Sequence, residues 1–428
     1  MSLRRRRLGV IGATALLAVV IAAANGSSSN ASIRPLVASA HPAAGTTTIQ
    51  FAESGLGTEG QQTQAAINAF EKANPSIKVK IVVLSPNSTT YLQQLQQRFI
   101  AGSSTPDVFE ADVTYPAKFA QAGWVKPLTS LHPNMHQFFA TEVSAGTYKR
   151  VSYAVPWFDN PEGLFYRTDL IKKPPTSPAQ IVSDAKAAMR TDKSLKEGLA
   201  FEGAKYEGAI TALMTVDGAF GGHLTAKSIN TGANVAALKW LHDAIYVNKI
   251  APQAVTGWQE GNVQQEFTAG HAAFAINYPF VASVDASTKS SPAHGHTGYI
   301  PFPAAKGGRP GSALGGEMLA INAKSANVAA AWKLIRYLTS RSVEIKRAIA
   351  TGDPPSLPSA YTSALYAKAP YFKQVKVLNG YAQPRPVSPK YLQISADLQN
   401  AFSAVFANTS SPGSAMKNAA AQISSANG

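Results

Sequence analysis

Apolar and polar residues recur with two different periods in the first part of the chain. Apolar residues alternate with lysines over residues 77–83, and this two-residue period predicts a strand. The stretches 48–52 and 107–111 are also predicted strands. Thr58 is expected to cap a helix that ends at Asn74-Pro75, and apolar residues at helical spacing predict a second helix at 91–99. Strands alternating with helices in this order indicate a parallel sheet, so ligands should bind beyond the carboxyl ends of its strands.

The stretch from Ala154 to Leu170 departs from these periods. Two apolar, strand-like runs flank a segment in which Trp157, Phe158 and Asn160 lie among prolines, acidic residues and a glycine. Proline and glycine bend or redirect a strand, and aromatic rings beside amides and carboxylates suit a cleft for a polyhydroxylated solute. We therefore predict a crossing between two lobes here, with an ordinary loop that buries Trp157 and Phe158 as the alternative.

Helical periods dominate after residue 170, with occasional strands between them. The end of the chain after Thr409 is rich in Ser, Ala and Gly and is expected to be a fraying last helix. The pattern predicts helices at 180–189, 206–216, 235–247 and 328–338, and strands at 272–277, 299–302 and 314–321.

The N-terminus has the pattern of an export signal. Four arginines, Arg4 to Arg7, precede an apolar segment from Leu8 to Ala24 that ends in small residues. Residues 1–24 are predicted to be a signal peptide, by the general or the twin-arginine route, and residues 25–47 a disordered linker. An uncleaved membrane anchor is the alternative. In either case the protein is predicted to be exported, periplasmic or extracellular.

Composition narrows the class of protein. The 428 residues are enough for two or three domains, and 45% of them are hydrophobic. The formal charge of +15 is spread thinly, since only 15% of residues are charged, so no nucleic-acid partner is expected. The sequence contains no cysteine, so we expect neither disulfides nor a lipoprotein anchor.

Several chemical motifs are weak. Gly55 to Gly60 fits the dinucleotide pattern GxGxxG, but Leu84-Ser85-Pro86 stands where an acidic residue should bind the ribose. His294 and His296 lack a third metal ligand at suitable spacing. No cofactor and no metal are therefore predicted. Asp112 and Glu207 have the chemistry of a glycosidase acid–base pair, which leaves a secreted carbohydrate-active enzyme as an alternative.

A set of motifs in a fixed order resembles the bacterial extracellular solute-binding proteins (family 1) of carbohydrate ABC importers. The later motifs are most similar to the trehalose- and maltose-binding branch. The matching segments are Asp107–Asp112, Tyr153–Pro156, Gly163–Leu170, Lys205–Gly208, Asn277–Phe280, Leu314–Gly316 and Pro384–Pro386.

The resemblance implies an α/β, two-lobed periplasmic-binding-protein type II fold with a multi-strand hinge. Lobe I (the N-terminal lobe) would comprise residues 48–157 and 316–356, and lobe II (the C-terminal lobe) residues 158–315 and 357–428. Carried over position by position, the implied substrate-binding residues are Glu59, Asp112, Tyr115, Phe158, Asn160, Glu207, Tyr278, Gly315, Gly316, Glu317 and Arg385. Glu317 departs from relatives, which often have an aromatic residue there, and some members have Asp at the position of Asn160.

The implied function is capture of an oligosaccharide, a trehalose- or maltose-like α-glucoside, and its delivery to the transmembrane subunits of an ABC permease. Such a protein is not an enzyme and is expected to be a monomer. Carboxylates and arginine would bind the hydroxyls at the edge of a sugar, while aromatic rings would cover its faces. Because the predicted cleft is acidic, a cationic non-sugar solute such as a polyamine is a further alternative.

Overall fold

The chain forms two β-sheets with helices packed on them, and two long paired strands lie where the sheets meet. A computed structural model describes residues 45–54, 57–85 and 88–427. The predicted signal peptide and most of the predicted linker lie outside the described residues. The strands are β1 Thr47–Glu53, β2 Ile77–Val83, β3 Val108–Asp112, β4 Thr147–Tyr148, β5 Val151–Ser152, β6 Ala154–Pro161, β7 Gly163–Arg167, β8 Glu197–Ala200, β9 Ala272–Asn277, β10 Thr297–Ile300, β11 Ser312–Ile321 and β12 Ala382–Gln383.

Helices occupy most of the connections between these strands. Six of the helices coincide or overlap with the six segments that the apolar period predicted as helical. The helices are α1 Gly57–Ala73, α2 Ser88–Ile100, α3 Pro116–Gln121, α4 Ala140–Ala145, α5 Pro178–Thr191, α6 Glu207–Asp217, α7 Gly232–Tyr246, α8 Glu260–Thr268, α9 Phe280–Ser287, α10 Val328–Leu338, α11 Arg341–Thr351, α12 Ser363–Lys368, α13 Phe372–Asn379, α14 Tyr391–Phe406 and α15 Pro412–Asn427.

The first sheet has the strand order β12-β11-β3-β1-β2, with β6 also pairing with β11. The predicted parallel arrangement is confirmed, since β1 pairs in parallel with both β2 and β3. Apolar residues of the sheet and of the covering helices, among them Phe51, Phe70 and Leu95, are fully buried. Strand β1 begins at Thr47, one residue before the predicted start of the first strand.

Strands β6 and β11 form the crossing. They pair antiparallel from Leu314 opposite Pro161 to Ala320 opposite Ala154, with an irregularity between Glu317 and Met318. Gly316 has φ = 109°, a conformation that residues with a side chain rarely adopt. The crossing predicted within 154–170 is therefore a strand ladder, and its two glycines let the chains approach each other closely.

The second sheet has the order β10-β7-β9-β8. Helices α5 to α7, α14 and α15 cover its core, in which Phe201, Leu213 and Phe402 are fully buried. The expectation that the chain frays after Thr409 was wrong. Helix α15 buries Met416 and Ile423 in this core, and two such anchors keep a Ser- and Ala-rich helix packed.

Within residues 45–54, 57–85 and 88–427, no helix combines the length and the apolar composition needed to span a bilayer.

Candidate functional site

A cleft of about 680 Å³ lies between the two sheets, beside the β6–β11 crossing. Residues from both sheets and from the C-terminal segment line it. Its volume falls within the usual range for small-molecule sites. Nine of the predicted site residues lie in its wall: Asp112, Tyr115, Asn160, Glu207, Tyr278, Gly315, Gly316, Glu317 and Arg385.

Arg385 connects the two sides of the cleft. Its Nη2 donates to both carboxylate oxygens of Asp112, at 2.9 and 3.1 Å, and its Nη1 donates to Glu207 Oε1 at 2.9 Å. Asp112 ends β3 of the first sheet, and Glu207 begins α6, which packs on the second sheet. Arg385 therefore forms ion pairs with a carboxylate on each side of the cleft.

Both carboxylates have further partners. Asp112 Oδ1 accepts hydrogen bonds from the backbone and the hydroxyl of Thr114. Glu207 accepts hydrogen bonds from Ser395, at 2.6 Å, and from the Tyr391 hydroxyl. Because one guanidinium and several hydroxyls occupy these carboxylates, neither is free to act as a general acid, which argues against the glycosidase pair.

The first-sheet wall continues with Tyr91, Glu110 and Tyr115. The Tyr91 hydroxyl donates to the backbone oxygen of Glu110, and Tyr115 donates to the backbone oxygen of Ser88. Glu110 accepts a hydrogen bond from the backbone of Ser54 at 2.7 Å, and burial raises the pKa of its carboxyl. This wall combines aromatic faces with carboxylates, as a sugar site needs.

At the crossing, the paired strands bring further polar groups into the wall. Gly315 lies opposite Asn160 in the ladder, and Glu317 lies opposite Asp112. A Cβ at Gly315 would meet Asn160 and the ring of Tyr278, which explains why glycine is needed there. The family resemblance implies an aromatic residue at this position in many relatives, and Glu317 instead adds a carboxylate to the cleft wall.

Phe158 is a correction to the implied site. It is absent from the cleft wall and lies in the apolar core beside the first sheet, packed against Trp157. The guanidinium of Arg347 covers both rings, 3.8 Å from the centre of Trp157 and 4.1 Å from that of Phe158. Asn160 lies in the cleft wall, whereas Phe158, two residues earlier on β6, is buried beneath Arg347.

The second-sheet wall contains a group of residues that we call the acidic corner, namely Glu202, Tyr206, Glu260 and Tyr278, with Glu162 behind them. Burial and the charges of Glu260 and Glu162 raise the pKa of Glu202 well above its usual value. Burial raises the pKa of Glu162 to about 8 and that of Glu260 to about 7. Glu162 accepts hydrogen bonds from Thr211 and Thr215, whereas Glu202 Oε1 has no hydrogen-bond partner.

The sequence analysis missed Glu110, Glu202 and Glu260. Glu110 shares a strand face with Asp112 two residues on, and Glu202 follows the carboxyl end of β8. The rule on ligand sites in parallel sheets could therefore have found both. Glu260 begins a helix after an irregular segment and gives no such signal. The side chain of Glu59, another predicted site residue, lies outside the described residues.

A metal site is not seen in the described part of the chain, where no three His, Asp or Glu side chains are grouped suitably for an ion. His294 Nδ1 lies 2.8 Å from the backbone oxygen of Asp285, which ties this residue to its own loop.

Comparison with known proteins identifies the family. The sequence profile of the family described as "Bacterial extracellular solute-binding protein" matches residues 54–345. The chain belongs to this family. A probable ABC transporter-binding protein of Deinococcus radiodurans is 30% identical over 395 residues, which cover 88% of this chain and 93% of the relative. This solute-binding protein is thus a substrate-binding component of an ABC sugar transporter, and its family implies export.

Solved structures agree with this assignment. Maltose-bound MalE3 of T. maritima has 29% sequence identity and a TM-score of 0.82, and the alignment covers 89% of this chain and 100% of that one. A solute-binding protein of Thermotoga lettingae TMO bound with α-D-tagatose has 24% identity and a TM-score of 0.79, over 90% and 100% of the two chains. The two-lobed α/β fold predicted for this solute-binding protein is confirmed.

Proposed function

We propose that this protein captures a trehalose- or maltose-like α-glucoside outside the cytoplasm and delivers it, unaltered, to a membrane permease. The observation that carries the proposal is Arg385, which contacts a carboxylate on each side of a cleft that also presents Tyr115 and Tyr278. Charge-assisted donors and acceptors would bind hydroxyls at the edge of the sugar, and the tyrosine rings would cover its faces.

The lobes would close when the solute bridges them. We propose residues 48–157 and 316–356 as lobe I, and residues 158–315 and 357–428 as lobe II, acting as a monomer. A permease could then recognise the closed form, since polar groups on one wall gain partners only when the other wall is near. The MalE3 relative, described as maltose-bound, supports a disaccharide as the ligand class.

A thermal-shift and calorimetric screen tests this proposal. Maltose and trehalose should raise the midpoint of thermal unfolding by mass action. No glucose should appear on prolonged incubation with either sugar, because the protein is proposed to bind without catalysis. Release of glucose that disappears in the Asp112→Asn variant would instead support the secreted enzyme.

A cationic non-sugar solute is the second candidate, and the excess of acidic groups in the cleft favours it. Seven carboxyl-bearing residues and a single arginine lie in the described wall, whose acidic members are Glu110, Asp112, Glu202, Glu207, Glu260, Glu317 and Asp353. Spermidine belongs in the same screen. A shift with spermidine and none with any sugar would overturn the sugar proposal.

A further inference from the structure

We propose that the sugar taken by this cleft carries a positively charged amino group, and that this group lies against the carboxyl of Glu202. The inference rests on the proposed function, since it specifies the kind of sugar bound at the same site. It begins from the position of Glu202, two residues after β8 and in the cleft wall. The residue is only 1% exposed, yet its Oε1 accepts no hydrogen bond.

A buried carboxyl oxygen without a partner is costly, and native structures rarely keep one without a reason. The surroundings of Glu202 make the cost greater. Glu162 and Glu260 both lie near enough to disfavour its ionised form. Among the described residues, no lysine or arginine forms an ion pair with any of these three carboxyls. A cation supplied by the ligand would therefore offset the excess of carboxyls at the acidic corner.

Arg385 cannot meet this need. It is the only basic residue in the described part of the wall, and Glu207 and Asp112 accept hydrogen bonds from its two terminal nitrogens, Nη1 and Nη2. Asp353, the remaining acid near the corner, is bonded to Arg347 Nε at 2.9 Å. Asp112, Glu207 and Asp353 are thus paired with arginines, whereas no such ion pair is seen for the carboxyls of the acidic corner in the described part of the chain.

An ammonium group on a sugar ring matches the chemistry of this corner. It offers hydrogen-bond donors without an acceptor, which suits carboxyl oxygens that lack donors. The rings of Tyr206 and Tyr278 lie beside Glu202 in the wall, and tyrosine faces attract a cation. Close packing fixes the position of the Glu202 carboxyl, because its Oε2 lies so near Gly208 that any side chain at position 208 would collide with it.

The rest of the cleft favours a sugar over a polyamine. A chain of several ammonium groups would have to pass Arg385, whose like charge repels it. A sugar with one amino group places its cation at the acidic corner and its hydroxyls near Arg385 and Asn160. The charge distribution has carboxyls without a cation at one corner and carboxylates paired with Arg385 at the other, and it fits a ligand that is charged at one end only.

The raised pKa values of the corner add a second signature. An ammonium beside Glu202 stabilises the ionised carboxyl, so binding should release protons near pH 7. Binding of a neutral sugar should release none. The charged and titratable groups that face Glu202 from the surrounding elements are Glu162, Tyr206, Glu260, Tyr278 and Arg385.

Isothermal titration calorimetry at pH 7.5 tests the inference. The probes are maltose, trehalose, derivatives of each with one amino group at different carbons, and the N-acetyl forms of those derivatives, which keep the bulk but lose the charge. At least one amino derivative should bind about tenfold tighter than its N-acetyl form, as a charge-assisted contact predicts. Titrations in buffers of different ionisation enthalpy should show proton release for that derivative alone.

Two variants locate the effect. Glu202→Gln should bring the ratio of amino to N-acetyl affinity close to one, and Glu260→Gln should lower it by less. The matched control is Glu197→Gln, because Glu197 is equally buried on β8 but lies outside the cleft wall. That variant should keep the wild-type ratio. Circular dichroism of each variant checks that it is folded. The ratio of amino to N-acetyl affinity measured in the unmodified protein tests the inference even if a variant fails to fold.

The outcomes separate the two proposals. If neutral sugars bind and the amino group gives no gain, the inference is overturned and the proposed function stands. An amino-group preference that survives in Glu202→Gln also overturns the inference. If spermidine binds and no sugar does, or if nothing in the panel binds, both proposals are wrong.

Discussion

Two acidic parts of the same cleft differ in how their charge is balanced. At the bridge formed by Asp112, Arg385 and Glu207, a guanidinium with 4% exposed side chain is paired on both sides. At the acidic corner, Glu202 is at least as buried but has no cation. At the bridge, each carboxylate contacts the guanidinium and accepts further hydrogen bonds from hydroxyl or backbone groups.

This difference separates structure from recognition. A satisfied ion-pair network resists change and holds two walls in register, whereas an unsatisfied carboxyl is poised for a partner. Substitution at the bridge should therefore affect stability most, and substitution at the corner should affect ligand choice most. Four predictions test that contrast.

The largest effect is expected from Arg385→Ala. Removal of the guanidinium leaves Asp112 and Glu207 facing each other without a cation, which should lower the free energy of unfolding by about 3 kcal/mol. Urea denaturation of the purified protein measures it. Arg336→Ala is the control, because Arg336 is exposed on α10. Equal stability of the two variants would show that the bridge is not structural.

The second prediction contrasts two glutamates. Glu207→Gln removes the charge that pairs with Arg385 and should cost about 1–3 kcal/mol. Glu202→Gln should change the stability at pH 7 by less than about 0.5 kcal/mol, because burial disfavours the ionised carboxyl by raising its pKa, glutamine has nearly its shape, and Oε1 has no hydrogen bond to lose. Both values come from denaturant unfolding. A larger loss at Glu202 than at Glu207 would reverse the comparison.

The third prediction concerns two glycines in the cleft wall. A methyl at Gly208 would collide with Glu202 and Tyr206, so Gly208→Ala should cost about 1–3 kcal/mol and displace Glu202. A methyl at Gly261 in α8 meets nothing within 4 Å, and Gly261→Ala should stabilise the helix by up to about 1 kcal/mol. Thermal unfolding of both variants measures the difference. Similar effects would mean that the wall tolerates movement.

The smallest effect is a pH dependence specific to the corner. Burial and the charge of Asp353 raise the pKa of Glu260 from 4.5 to about 7. Between these values the folded state holds a proton that the unfolded chain has lost, so the stability contributed by Glu260 is lost as the pH rises through 7. The fall from pH 5 to 8 should be about 1–2 kcal/mol smaller in Glu260→Gln. Denaturant unfolding at each pH tests it, and parallel curves would contradict it.

The elements were largely predictable from the apolar period. Strand β9 at Ala272–Asn277 and helix α10 at Val328–Leu338 have the predicted bounds, because continuous or strongly periodic apolar residues specify them locally. The last helix was misjudged, since its small residues gave little signal and two buried anchors hold it. Most of the site residues were predicted from the order of family motifs. Phe158 was predicted in the same way but lies outside the cleft wall, because a motif position does not show which side chain covers its ring.

The sequence by itself indicated the longer strands and helices, the family and the acidic character of the cleft. Tertiary structure alone decided which acids are neutralised. Arg385 lies 273 residues from Asp112 and 178 from Glu207, and no local pattern relates side chains so far apart. Periodicity assigns a residue to a face of its own element, but the neighbour across that face, and therefore the balance of buried charge, is set only when the elements pack.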